Sequence, residues 1–238
     1  MKKRTKIIIS AIAITALFAT AACVFIFGHY LPQEREKAEL ERMVREYYDA
    51  KLELYRAENE QYADYEVDVA FLGDSLTDGY NLAEYYPDYL TANRGIGGET
   101  TFGLEERMQI SLYDLKPKVA VMLIGGNNLG TMLENYEDIL IGMQKNLPDT
   151  KIILISLTSM GGKWGKGNQT AAYNNVIIKK LAEKYGFMFV DVYSPLLNTE
   201  SGEIYAEYTI DGAHLTPLGY TVLTETLTPH IEVALNRK

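Results

Sequence analysis

Cysteine is almost missing from this chain. Cys23 is the only one in 238 residues, so no intrachain disulfide can form and any outer domain must be held by its core alone. Histidine occurs three times, and His29 and His230 lack the partner spacing of a metal site, so no metal is proposed. Tryptophan occurs once, at position 164. There is no internal repeat and no low-complexity segment. Positive charge is also scarce, with 23 Lys and Arg against 32 Asp and Glu and a net charge of −9. Setting aside Lys2, Lys3, Arg4 and Lys6 leaves 19 against 32, or −13, for the remainder. A domain that acidic is a poor binder of nucleic acid.

The few cations that cluster do so at the N-terminus, ahead of an uncharged, largely apolar run from Ile7 to Phe27. As a helix, 21 residues reach roughly 30 Å, enough to span a bilayer. The basic flank would stay in the cytoplasm and everything after Gly28 would lie outside the membrane. The pattern therefore predicts an uncleaved single-pass anchor over 1–28. Three other readings compete: a signal peptide cleaved after Ala19-Thr20-Ala21, a lipoprotein anchored through Cys23, and a buried core helix. Residues 29–65 follow as a charged helical stalk. Within it Leu40, Met43, Tyr47, Ala50, Leu54 and Ala57 recur at alternating steps of three and four. Three heptads are the lower limit for a coiled coil, so a dimer zipper, a helix packed on the next domain and a solvated spacer all stay open, as does the oligomeric state.

From residue 66 to 238, short apolar runs alternate with helical patterns. Strands are expected at 67–72, about 90–94, 119–124, 152–155 and 187–190. Helices are expected near 102–114, 132–146 and 170–185. The last helix should start at Thr216-Pro217, with threonine as N-cap and proline at the first helical position. Near-continuous apolar strands alternating with helices predict an α/β domain with a parallel sheet covered on both faces.

The residues that carry chemistry stand at the two ends of this domain. Gly73-Asp74-Ser75-Leu76 leaves the first strand, and Asp211-Gly212-Ala213-His214 precedes the last helix. A serine hydroxyl is a weak nucleophile until an imidazole takes its proton, and the imidazole needs a carboxylate on its other nitrogen. Ser75, His214 and Asp211 supply these three parts. Two further segments offer donors for a developing oxyanion: Gly97-Gly98-Glu99-Thr100, and Gly125-Gly126-Asn127-Asn128 after the third strand. Both also suit ordinary strand-to-helix turns.

Taken in order, these four segments resemble the SGNH hydrolases, also called the GDSL esterase/lipase family, over roughly residues 66–234. The resemblance implies a three-layer flavodoxin-like sandwich with a five-stranded parallel sheet, Ser75 as nucleophile, His214 as base and Asp211 orienting it. It implies an oxyanion hole made by the N–H groups of Ser75 and Gly98 and the amide of Asn127, and it implies no cofactor. One position departs clearly from the family pattern: Asn128 stands where aspartate is usual, at a residue that supports the loop, and Glu99 in place of the commoner aspartate is a smaller change of the same kind. Trp164, in the glycine-rich loop 161–168, either rides a flexible flap that stacks it on a sugar or covers an acyl group, or is an incidental aromatic on a mobile surface loop. Tyr80, Tyr85, Tyr86 and Tyr89 either line a pocket or pack as partly buried helix surface. The expected protein is an extracytoplasmic, membrane-anchored serine esterase acting on short acyl esters, foremost acetyl groups on envelope polysaccharide. A lysophospholipase or thioesterase for longer chains, and a non-catalytic glycan-binding module, are the rivals.

Overall fold

The computed structural model describes residues 31–236. The apolar run Ile7–Phe27, read above as an anchor, lies outside the described residues. Among the described residues no helix is long and apolar enough to cross a membrane.

The first element, α1 (Leu31–Asn59), is one unbroken helix without glycine and with proline only in its first turn. It runs through the border between two compact units, one ending at Ala50 and one starting at Lys51. In the first unit the helix surface carries Lys37–Glu41 and Arg42–Glu46 ion pairs, and Leu40 and Met43 are exposed. In the second unit the helix end is part of the α/β body. Tyr55 is buried and its hydroxyl donates to the carbonyl of Gly95 (2.6 Å). Arg94, fully buried, pairs with Glu58 and donates to Asn59 Oδ1 (3.1 Å). The sequence reading starts the α/β domain at residue 66. The α/β unit begins some 15 residues earlier, because the second strand needs these partners for a buried guanidinium.

The sheet is built from β1 (Val69–Gly73), β2 (Thr91–Gly95), β3 (Val119–Leu123), β4 (Lys151–Ile155) and β5 (Met188–Val190). All neighbours pair in parallel, in the order β2-β1-β3-β4-β5. All five residues of β1 and all five of β3 are buried. That is why these strands read as continuous apolar runs and not as alternation. The order reverses direction between β1 and β3, and a crevice opens there beyond the strand ends. The connecting helices are α2 (Ser75–Asp78), α3 (Leu82–Tyr85), α4 (Thr101–Glu106), α5 (Tyr136–Asn146), α6 (Asn168–Tyr185), α7 (Tyr193–Leu196) and α8 (Pro217–Ala234). Thr216 caps α8 by accepting from the N–H of Gly219, with Pro217 in the first turn, as the sequence predicts.

Two helices differ from expectation. The segment 102–114 is not one helix: α4 stops at Glu106, and a π turn follows over Gln109–Tyr113. Arg107, between them, turns its side chain into the protein. The segment 132–146 likewise begins as a short 3-10 turn, Met132–Glu134, before α5. A small antiparallel pair, β6 (Leu197–Asn198) with β7 (Glu203–Ile204), was not anticipated.

Candidate active site

Ser75 is the first residue of α2, which starts directly at the end of β1. The strand-to-helix corner is tight because residue 73 is glycine. A Cβ there would stand 2.2 Å from both the carbonyl oxygen of Leu123 and the hydroxyl of Thr77. Asp74 caps the helix, its Oδ1 accepting from the N–H of Leu76 (3.0 Å). Burial pushes the Asp74 carboxyl up to about 6, against the opposing effect of that N–H bond and of nearby His214.

The turn carrying Asp211 and His214 closes on itself before α8 starts. Ile210 N–H and Thr209 Oγ1 both donate to the carbonyl of His214 (2.8 and 2.9 Å). Gly212 has φ +92°, and a Cβ there would meet the carbonyl oxygen of Gly161 at 2.2 Å, so this position demands glycine twice over. The turn is then docked onto α2 from the far end of the chain. Tyr220, in α8, donates to the carbonyl of Leu76 (2.9 Å), and Tyr85 donates to that of Pro217 (3.0 Å).

The result is a continuous chain of polar contacts. Ser75 Oγ lies 3.1 Å from His214 Nε2, and His214 Nδ1 lies 2.9 Å from Asp211 Oδ2. The other Asp211 oxygen accepts the backbone N–H groups of Ala213 (3.0 Å) and His214 (2.9 Å). The His214 N–H, then the His214 ring and the Ala213 N–H, hold the Asp211 carboxyl well below the usual carboxylate range. It is therefore ionised at neutral pH. With Nδ1–H donated to that carboxylate, Nε2 is the free lone pair facing the serine, the arrangement that a general base needs.

Asn127 lies in a 3-10 turn after β3, following Gly125. One N–H of its amide donates to the carbonyl of Glu99 (2.9 Å). An amide has two N–H donors, and the residue lines the cleft beside Ser75, so the second is available to a ligand. Gly98 has φ +78° and is exposed, one residue from the Asn127–Glu99 bond. It does not itself line the cavity. Asn128 donates to Thr101 Oγ1 (2.9 Å) and accepts from Thr101 N–H (3.4 Å), so it fastens the loop and does not face the serine.

The cleft measures about 90 Å³ and is walled by Leu76, Thr158, Met160 and Trp164 around Ser75, Asn127 and His214. A larger cavity of about 740 Å³ opens at the β5 edge beside Phe187, Phe189 and Val176, and shares no residue with this cleft. Size does not locate the site here; the smaller cleft holds the serine–histidine contact.

Trp164 sits on a fastened loop and not on a flap. Gly161 N–H donates to Gly212 O (2.7 Å), Gly162 N–H to Glu203 Oε2 (3.0 Å), and the buried Asn168 amide bonds Met160 and Gly202. Lys163 Nζ lies 4.8 Å from the centre of the tryptophan ring. The tyrosine cluster does not line the cleft. Tyr80 and Tyr86 are buried against Phe71, and burial pushes the Tyr86 phenol up to about 12. Thr158 and Met160 were missed by sequence reasoning; they follow β4, and nothing local marks them as cleft residues. Among the described residues there is no cluster suited to a metal ion.

Comparison with known proteins agrees with this architecture. Residues 71–222 match the model of the GDSL-like Lipase/Acylhydrolase family. The chain belongs to that family. Platelet-activating factor acetylhydrolase IB subunit alpha2 of Gallus gallus is 28% identical across 69% of this chain and 76% of its own. Among solved structures, a Streptococcus pneumonia protein named provisionally as a platelet activating factor has 26% identity and a TM-score of 0.75. That match covers 83% of this chain and 99% of that one. Axe2, an acetylxylan esterase from Geobacillus stearothermophilus, shares the fold at 22% identity and a TM-score of 0.58, covering 71% and 95%.

Proposed function

We propose that this protein is a serine esterase that hydrolyses short acyl esters, foremost acetyl groups on a cell-envelope polysaccharide. The observation that carries the reading is the unbroken Ser75–His214–Asp211 contact line opening into a small cleft beside Asn127. Ser75 Oγ attacks the acyl carbonyl as His214 Nε2 takes its proton. Asp211 holds the ring and stabilises the imidazolium. The oxyanion is received by the N–H groups of Ser75 and Gly98 and by the Asn127 amide. His214 then protonates the leaving alcohol. A water deprotonated by His214 releases the acyl group and restores the hydroxyl. No step calls for a cofactor.

The small volume of the cleft, about 90 Å³, supports a short acyl chain. The similarity to an acetylhydrolase and to an acetylxylan esterase points the same way. Trp164, 44% exposed on its fastened loop, offers a face for a sugar ring. With p-nitrophenyl esters, kcat/KM should be highest for acetyl and fall by at least about tenfold by octanoyl, since added methylenes that do not fit are penalised. A preference for octanoyl or longer chains would reject this substrate and favour a lysophospholipase or thioesterase.

The address is part of the proposal. Four cations followed by the apolar stretch Ile7–Phe27 support a single-pass anchor with the catalytic domain outside the membrane. Protease added to intact cells should then release a fragment containing Ser75 while residues 1–6 stay protected. Recovery of soluble protein with a new N-terminus near Ala22 would contradict the anchor.

A further inference from the structure

Arg107 breaks the helix that the sequence predicts, and the reason lies inside the protein. Its guanidinium is 1% exposed and reaches four groups at once. Nε donates to Glu99 Oε2 (2.9 Å), Nη1 to the carbonyl of Arg94 (3.0 Å) and to Ser111 Oγ (2.8 Å), and Nη2 to the carbonyl of Gly73 (3.1 Å). Gly73 is the residue from which the chain turns into Asp74-Ser75, and Arg94 lies in the strand that leads to Gly98. Glu99 connects the remaining donor: its side chain is held by Arg107, while its own carbonyl accepts the Asn127 amide at 2.9 Å. Glu99 also closes on the start of α4. Its Oε1 accepts the N–H of Thr100 (3.0 Å), and a Cβ on Gly103 would fall 1.9 Å from that oxygen. The turn after Arg107 is widened to π geometry, with the N–H of Asp114 bonded to the carbonyl of Gln109. Such widened turns recur where a side chain must be placed at a functional site.

We propose that the buried Glu99–Arg107 pair is the positioning device of the oxyanion hole, setting Ser75 N–H, Gly98 N–H and the Asn127 amide relative to one another. Neither residue touches substrate; both act through the backbone groups and the amide that they hold. A fork with fixed geometry suits this role, because one planar cation meets three chain segments at set angles. The inference rests on the serine-esterase reading above and extends it to the residues behind the donors.

The test separates positioning from stability. Arg107→Lys keeps the charge but cannot reach four partners. The double variant Glu99→Leu/Arg107→Met removes both charges together, a replacement that buried ion pairs often tolerate in stability. Asn127→Ala in the native background sets the scale, since loss of one oxyanion donor lowers kcat by about 10²–10³. In each folded variant we expect kcat to fall by about 10-fold or more with KM within about twofold. We further expect Asn127→Ala, added to either variant, to cost less than about fivefold more, because its amide is already misplaced. Unchanged kcat in a folded variant, or the full Asn127 effect in both backgrounds, would overturn the proposal even if melting temperatures drop. Should the double variant fail to fold, Arg107→Lys and Ser111→Ala decide by the same two readouts. Turnover retained by Ser75→Ala would instead undo the esterase reading; a dead Ser75→Ala with an additive cycle undoes only this inference.

Discussion

Replacing His214 with alanine is expected to lower kcat for an activated acetyl ester by about 10⁴–10⁶, with KM changed by no more than about threefold. The size follows from the geometry. His214 Nε2 is in contact with Ser75 Oγ, and in the proposed mechanism it takes the proton that the hydroxyl otherwise keeps. The fold should survive the change. His214 and Asp211 side chains are 48% and 39% exposed, so no buried charge is left stranded. The carboxylate also keeps the backbone N–H groups of residues 213 and 214, which the substitution does not remove. Stopped assays alongside a melting curve would separate the two effects. Residual activity within about 100-fold of the native protein, at an unchanged melting temperature, would mean that another group serves as base.

The second large effect concerns the end of α1. A chain that begins at residue 66 should lose its melting transition or show it lowered by about 10 °C or more, whereas a chain beginning at Glu46 should match the full protein. Removing residues 51–65 strips the buried Tyr55 from β2, at roughly 1.5–3 kcal/mol for the aromatic side chain alone. It also leaves Arg94 without Glu58 and Asn59. Domain stabilities of about 5–15 kcal/mol leave little room for both losses. Activity should fall with stability, because Tyr55 bonds the carbonyl of Gly95 at the entry to the Gly98 loop. Equal melting temperatures for the two shortened chains would show that the helix end is dispensable.

These two effects also mark what was legible in the sequence. Strand β1, with Gly73-Asp74-Ser75 at its exit, and the Thr216-Pro217 start of α8 are local signals, so each could be read from a few neighbouring residues. The Asp211–His214 spacing is local as well, and one closed turn brings the two side chains together. The sequence leaves the role of the end of α1 open, because a seam of three-four steps suits a packed helix, a solvated spacer and a zipper alike. What fixes it to the sheet is Arg94, some 35 residues away, and no periodicity announces that partner. Arg107 escaped notice for the same reason: within 102–114 it looks like one more helical surface charge, and only its contacts to Gly73, Arg94 and Glu99 turn it inward. The loop around Trp164 reads as mobile from its four glycines, yet Glu203 and Asn168 fasten it. Of the tyrosines after Ser75, Tyr80 and Tyr86 pack against Phe71 of β1, and Tyr85 and Tyr89 pack on those two rings.

The account stands on Ser75 being an activated nucleophile, and labelling by a fluorophosphonate followed by peptide mass mapping measures that directly. The native protein should take up one phosphonyl group per chain, on the peptide containing Ser75. Ser75→Ala should take up none and hydrolyse no ester while keeping its melting temperature. Absence of labelling in an ester-hydrolysing native protein, labelling at another residue, or appreciable turnover by Ser75→Ala would contradict the account.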